Sequence, residues 1–346
     1  MAPQTYGIRT AIIGAGRIAG AIATPGDTAI ISHAHAIAAD SRFWLGWVID
    51  TSLDRARSLA QRWGAPAFAA DLQILASADR LDVIVVCTPD VLHAVMLETL
   101  LCLPAPPRLV VMEKPLCLTS AELKGLVRVT AEHPEVAVVV NHSRRFDARY
   151  HSLACFLAEN TLGELVGVRW VYYGGWRHNG PHVIDTIRLL LNGSLEVTDA
   201  WQGFTDRPGD PCLEARLRCS AHPQARILIE SFPEQAFQLF EAEIRLRLGR
   251  IRLLDFGAEI LVDEVRANAV GERELRITRP FECPPALPAM AGLYDSVAAF
   301  LLHGDKTVLH WAGMTCAAET MRTLFAVSKM VASRMPKPHP AQSPEI

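Results

Sequence analysis

The sequence predicts an α/β fold in two parts: a parallel sheet covered on both faces, then an α/β domain on a large, mostly antiparallel open sheet. Two observations carry this. Short β-branched runs alternate with longer helical patterns over the first 140 residues, the signature of β-α-β construction. Beyond about residue 145, one amphipathic helix gives way to strands separated by short turns. With 346 residues, 50% of them hydrophobic and 21% charged, the chain has apolar surface for two cores and too little charge for disorder. The expected limits are 1–143 for the first domain, 144–334 for the second, and a loose proline-rich tail over 335–346.

The apolar runs of the first part are Arg9–Ile13, Trp44–Asp50, Val83–Cys87, Arg108–Met112 and Val136–Val140. Each ends in polar or turn residues. Because the runs are apolar throughout, helices should cover both faces of their sheet. Helical spacing occupies Leu53–Trp63, Val91–Leu101 and Ser120–Glu132, the last with a Thr119-Ser120 start and Glu122 soon after. In the second part a helix is expected at Ala148–Glu159. Strands are expected at Leu165–Tyr173, Val197–Phe204, Leu213–Ser220, Ala225–Ser231, Phe237–Leu246, Arg250–Asp255 and Glu259–Val262. Helices at Ala289–Leu302 and Gly313–Ser333 close the fold.

Composition excludes several classes of partner. Thirty-four Lys plus Arg against 37 Asp plus Glu leave a net charge of -3, so nothing draws the chain toward nucleic acid or an anionic membrane. The eight cysteines are scattered without a C-x-x-C pair, which fits a reducing compartment. Neither a secretory start nor a membrane-length apolar stretch is visible, so a cytoplasmic protein is expected.

The first run leads into Gly14-Ala15-Gly16-Arg17-Ile18-Ala19-Gly20, close to the G-x-G-x-x-G of dinucleotide-binding turns. The first glycine permits a tight turn, and the second lets backbone N–H groups of Gly16, Arg17 and Ile18 approach a pyrophosphate. Asp50 ends the second run, where the ribose hydroxyls of an adenosine would lie. Its charge favours NAD over NADP, and no arginine follows at once, since Arg55 is a turn or more into the helix. Each feature also has an ordinary role, a plain strand-to-helix turn for the glycines and a helix cap for Asp50. The acid stands 36 residues from Gly14 (50 minus 14) instead of the usual twenty-odd, so Ala21 to Ile31 reads as an insertion. The first helix proper should then start near Ser32-His33.

Lys114, one of five lysines, lies in Glu113-Lys114-Pro115 just past a buried-strand pattern. Ligands of open parallel sheets sit outside the carboxyl ends of the strands, so Lys114 should point into the glycine-turn crevice. A partly desolvated lysine can serve there as proton donor or acceptor, with Glu113 positioning it. Its ordinary alternative is a surface lysine. Downstream, Trp176 to His182 reads as a polar turn entering an apolar helix, Val183 to Leu191. His178, His182 and Asp185 could gather at that helix start as an acid or base with its partner. His182 could equally cap or pack within the helix. Two histidines four apart without the Glu of H-E-x-x-H make a poor zinc site, so no metal is expected.

Together these features resemble the Gfo/Idh/MocA oxidoreductases, nearly end to end. The matching segments are Gly14 to Gly20, Val83 to His93, Glu113-Lys114-Pro115, Asn141-His-Ser-Arg144-Arg145-Phe146 and Gly180-Pro-His182-Val-Ile-Asp185. The resemblance implies an N-terminal Rossmann domain, subunit pairing through the C-terminal sheet as a homodimer or homotetramer, and NAD(P)-linked chemistry on sugars, inositols and related polyols. It carries Lys114 and His182 over as catalytic, and Thr88, Pro89, His93, Glu113 and Asn141 as lining the cofactor cleft. One departure matters. Where the family commonly has Asp four residues before the catalytic histidine, this chain has His178. The expected activity is hydride transfer between NAD and a carbinol carbon of a sugar, sugar-nucleotide or polyol. His182 would exchange the hydroxyl proton, Lys114 would stabilise the oxygen, and His178 and Asp185 would tune or relay. The competing readings are a noncatalytic NAD-binding sensor of the same fold and, further off, a metal-dependent hydrolase or lyase using His178 and His182.

Overall fold

The computed structural model describes residues 7–77, 81–205, 207–283 and 287–334, so the expected tail lies outside the described residues. Strand β1 (Ile8–Ile13) enters the glycine turn and a five-residue π-turn, Arg17–Ala21. An irregular excursion follows before α1 (His33–Ala39), whose N-cap is Ser32. Then come β2 (Phe43–Ile49), α2 (Leu53–Trp63), β3 (Ala67–Ala69) and α3 (Ile74–Ser77). The other half holds β4 (Val83–Val86), α4 (His93–Leu101), β5 (Leu109–Met112), α5 (Ser120–Glu132) and β6 (Ala137–Val140). Thr119 and Glu122 form a reciprocal capping box at the start of α5. All six strands are parallel in the order β3-β2-β1-β4-β5-β6. The order reverses between β1 and β4, which opens a crevice at their carboxyl ends. The pattern did not announce β3, since Ala-Phe-Ala is too short to carry an alternation.

The second domain begins with α6 (Ala148–Ala158), β7 (Leu165–Tyr172), α7 (Trp176–Leu191) and β8 (Leu195–Gln202). It continues through β9 (Leu213–Cys219), β10 (His222–Ser231), β11 (Glu241–Leu246), β12 (Gly249–Leu254), β13 (Glu259–Ala267) and β14 (Arg273–Pro280). The sheet order is β14-β13-β12-β11-β7-β10-β9-β8, antiparallel except where β7 meets β10. β14 was not expected, because Arg-Glu-Leu-Arg-Ile-Thr-Arg-Pro carries the charge of an edge strand that discourages further pairing. Helices α8 (Ala289–His303), α9 (Thr307–Ala312) and α10 (Met314–Arg334) end the chain. The single helix expected over Gly313–Ser333 has α9 in front of it. Extended Gly313 separates the two and bridges to Val139 at the sheet edge.

Alternate residues of the parallel strands face two apolar clusters. Ile13, Val86, Met112 and Val140 join a core that runs on to Trp170, Ile229 and Ile251 of the second sheet. Ile12, Val48, Val85 and Val111 pack with α1, α2 and, from far along the chain, Leu293, Tyr294 and Val297 of α8. Both faces are therefore covered, as the uninterrupted apolar runs require. The glycine turn is pinned against this second core. A Cβ on Gly20 would lie 2.7 Å from Trp63 Nε1, 2.8 Å from Ala34 Cβ and 2.9 Å from Leu59 Cδ1. Gly20→Ala should accordingly cost about 1–3 kcal/mol by overpacking, read as a lower denaturant midpoint at unchanged slope. A midpoint equal to the parent's would mean that the excursion simply moves aside.

Candidate active site

The carboxyl ends of β1, β2, β4, β5 and β6 deliver one candidate residue group each. Gly14 has φ 94°, and a Cβ there would sit 2.5 Å from the Cys87 carbonyl oxygen, so only glycine lets the turn close on the end of β4. A Cβ on Gly16 would meet nothing within 4 Å, which leaves that side of the turn open. The turn enters the short π-turn instead of a regular helix, with Arg17 exposed and Ile18 lining a cleft of about 560 Å³. Buried Thr88 Oγ1 and Asn141 Oδ1 lack hydrogen-bond partners among the described residues. An open glycine cradle and orphaned buried oxygens on the neighbouring strand ends fit a dinucleotide that supplies a pyrophosphate and polar hydrogens.

Asp50 is tied to the same turn. Its Oδ2 accepts the Ala15 N–H at 2.8 Å, and its Oδ1 accepts the Ser52 N–H at 2.8 Å and Arg55 Nη2 at 2.9 Å. Burial would raise this carboxyl, but these donors hold it below the usual range. The helix-capping role belongs to Ser52, which accepts the Arg55 N–H. Arg55 is thus not too far along α2 to matter, because its side chain folds back over the acid.

Past β5, Glu113 is buried and accepts His33 Nε2 at 2.9 Å and Asn141 Nδ2 at 2.6 Å on the same oxygen. His33 Nδ1 lies 2.9 Å from Tyr294 Oη. Burial pushes the Glu113 carboxyl up, yet His33 and Asn141 bring it below the ordinary carboxylate range. Sequence reasoning missed His33 and Tyr294, and only their separation of 261 residues explains why. His93, also buried, sets Nδ1 2.6 Å from the Pro115 carbonyl oxygen and Nε2 3.0 Å from that of Thr88. It braces the Thr88-Pro89 segment against Lys114-Pro115 while lining the cleft.

Lys114 Nζ donates to the His178 carbonyl oxygen at 3.1 Å, fastening the ammonium to the first turn of α7. Burial lowers its pKa, Glu113 and Asp90 oppose this, and Arg207 and Arg144 reinforce it. The segment 176–182 is not a turn, contrary to expectation, but the opening of α7. Asp210, from the β8–β9 connection, accepts the N–H groups of Arg177 at 2.8 Å and His178 at 3.2 Å, and so caps the helix from outside. A cap 32 residues downstream leaves no local signal.

His178 and His182 occupy successive turns of α7. Burial lowers the His178 pKa, helped by Lys114 and Arg207. His182 is held well below the ordinary imidazole value by burial, then by Lys114, Arg144, His142 and His178. It is therefore neutral and able to accept a proton at neutral pH. Asp185 does not join them by hydrogen bond. Its carboxylate receives Arg145 Nε at 3.0 and 2.8 Å and Thr320 Oγ1 at 2.9 Å. Arg145, His142 and Asp210 are further residues here whose roles the sequence did not reveal. A larger groove of about 700 Å³ beside α5, β6 and α10 brings none of these groups together. Among the described residues, no group of three His, Cys, Asp or Glu side chains is arranged to hold a metal ion, and no helix is long and apolar enough to cross a membrane.

A Rossmann sheet whose open glycine turn shares a cleft with a desolvated lysine defines a dinucleotide-binding oxidoreductase. Residues 8–142 match the model of the Gfo/Idh/MocA proteins, described as an oxidoreductase family with an NAD-binding Rossmann fold. The first domain thus has the NAD-binding Rossmann fold of the Gfo/Idh/MocA oxidoreductases, matched along nearly its whole length. No curated protein sequence matches it. Among solved structures it is similar to a 3-ketoreductase from Actinomadura kijaniata in complex with NADP and TDP-benzene, at 19% identity and TM-score 0.75 over 94% of this chain and 98% of that one. An oxidoreductase from Agrobacterium radiobacter in complex with NAD+, L-tartaric acid and magnesium gives 15% and 0.71 over 94% and 96%. A protein described as a myo-inositol dehydrogenase from Sinorhizobium meliloti gives 20% and 0.70 over 95% and 98%. At these identities the likeness establishes a shared fold across both domains.

Proposed function

We propose that the chain transfers hydride between a nicotinamide dinucleotide and a hydroxyl-bearing carbon of a sugar, sugar-nucleotide or polyol. The observation that carries this reading is the 3.1 Å bond from Lys114 Nζ to the first turn of α7, which holds the ammonium in the cleft beside the glycine turn, where it is the strongest influence after burial on neutral His182 one turn further along. The bound nicotinamide supplies the hydride acceptor or donor. His182 takes the hydroxyl proton in oxidation and returns it in reduction. Lys114 donates to the same oxygen and stabilises the negative charge that develops on it. The sugar-like substrate class rests on the ketoreductase and inositol dehydrogenase likenesses. Nothing in the site or the comparisons favours the noncatalytic sensor reading. Pairing of subunits through the open sheet, as a dimer or tetramer, belongs to the same proposal.

NAD is proposed as the preferred cofactor because Asp50 holds its charge at the mouth of the turn, although Arg55 partly neutralises it. The test is absorbance of the reduced nicotinamide on mixing the protein with each dinucleotide and a panel of sugars, inositols and sugar nucleotides. Asp50→Ala should lose about tenfold in NAD affinity, the worth of one charged hydrogen bond, and narrow the gap to NADP. An unchanged NAD to NADP ratio would place the discrimination elsewhere.

A further inference from the structure

The first four N–H groups of an α-helix have no partner within the helix. In α7 all four end on three consecutive residues of the β8–β9 connection, 210–212. Gly175 donates to Cys212 Sγ at 3.3 Å and Trp176 to the Pro211 carbonyl oxygen at 3.1 Å. Arg177 donates to Asp210 Oδ1 at 2.8 Å and His178 to Asp210 Oδ2 at 3.2 Å. The Asn179 N–H, next in order, makes the first bond internal to the helix, to the Gly175 carbonyl oxygen at 3.0 Å.

The carboxylate lies close against the chain it caps. Gly175 has φ 91°, and a Cβ there would stand 2.3 Å from Asp210 Oδ2 and 2.8 Å from the Asp210 carbonyl oxygen, so glycine is what admits it. The connection is itself tied down. Gly203 and Cys212 close its stem with a 2.9 Å bond, Asp210 N–H donates to the Arg207 carbonyl oxygen at 3.1 Å, and the Arg207 guanidinium holds Glu234 at 2.6 and 2.5 Å. Asp210 thus meets the helix already oriented.

His178, the last residue whose N–H this clamp receives, is also the residue whose carbonyl oxygen accepts Lys114 Nζ at 3.1 Å. One of the three N–H bonds of the ammonium goes to that carbonyl, which orients the other two. The carboxylate that fixes the first turn therefore fixes where the lysine is held. Both ends of the chain of contacts, Asp210 and Lys114, line the same cleft.

We propose that Asp210 is a positioning residue for Lys114, acting through the first turn of α7. The effect on rate rests on the hydride-transfer reading above, and the effect on the lysine does not. Asp210→Ala removes both acceptors and should let the turn loosen. Asp210→Asn leaves one oxygen for two N–H groups, and because asparagine caps helices well the fold should survive it.

The test uses the full chain with isotope-labelled lysine, and proton exchange at the ammonium groups is read by NMR. Exchange at Lys114 should be at least about tenfold faster in D210A than in the parent, the worth of one hydrogen bond to a charged group, with D210N between them. Lys124 on α5 and Lys329 on α10 should keep the parent's rates. With a substrate found in the panel above, kcat of D210A should fall about tenfold while KM for the dinucleotide stays within about twofold. Combined with Lys114→Met, the same change should cost less than about twofold, because the group it positions is gone. An unmoved Lys114 signal in both variants, or a loss of kcat as large with Lys114→Met as without it, would reveal a cap that serves only the fold and overturn the proposal. Turnover that survives Lys114→Met would sink the hydride-transfer reading, and the ammonium exchange would still decide Asp210.

Discussion

Lys114→Met and His182→Ala should each lower turnover by about 10²- to 10⁴-fold while the dinucleotide still binds. Methionine keeps the unbranched stem of Lys114 to within one atom and removes the ammonium together with its bond to the His178 carbonyl oxygen. Glu113 remains compensated by His33 and Asn141, so the β5 end should hold its shape. Losses in the two variants should not add, because both groups serve one oxygen and one proton. The pH profile provides a second check. Burial and then Lys114 depress His182, so its neutral form persists in acid and the acid limb of oxidation should lie below the free imidazole value of about 6.5. Removing the lysine cation lets the imidazole pKa rise, so the residual rate of K114M should show that limb at higher pH. An acid limb that stays in place would mean the two groups do not share a site.

The fold was legible because its parallel strands are buried on both faces and write themselves as continuous apolar runs, each ending where a cleft residue must stand. Gly14, Glu113, Lys114 and Asn141 all follow such runs, so position along the strand pointed to the crevice before any contact was known. The first helix starting at Ser32-His33 was readable for a similar reason, since Thr24-Pro25-Gly26 cannot continue a helix and Ser32 accepts the His35 N–H as a cap.

What stayed hidden depends on pairings between distant segments. The opening of α7 looked like a turn because its capping carboxylate, Asp210, comes from the β8–β9 connection. The His33 bond to Glu113 spans 80 residues, and that of Arg145 to Asp185 spans 40. No periodicity records such distances. Asp185 illustrates the consequence. Spacing of three from His182 suggested a partner for it, but an aspartate on a helix can serve either neighbouring surface. Here the guanidinium on the Ser143–Phe146 turn claims the carboxylate.

That claim predicts a large effect on stability. Asp185 and Arg145 are both buried, and Arg145 also donates to the Trp311 carbonyl oxygen at 2.6 Å, joining α7 to α9 through one guanidinium. Asp185→Asn should cost about 3–5 kcal/mol, since it leaves a buried cation without its carboxylate. The loss should appear as a lower urea midpoint. Burial alone would raise the Asp185 carboxyl, but His142, Arg145 and Thr320 hold it below the ordinary value. Its contribution is therefore complete above the unfolded value of about 3.9 and is lost as pH falls through the lower folded value. The gap between D185N and the parent should accordingly be full at neutral pH and shrink in acid. Much of this cost is the stranded charge, not the net worth of the pair. Asp185→Leu combined with Arg145→Met should recover most of it, and a double variant no more stable than D185N would show that Arg145 supports the fold chiefly through Trp311.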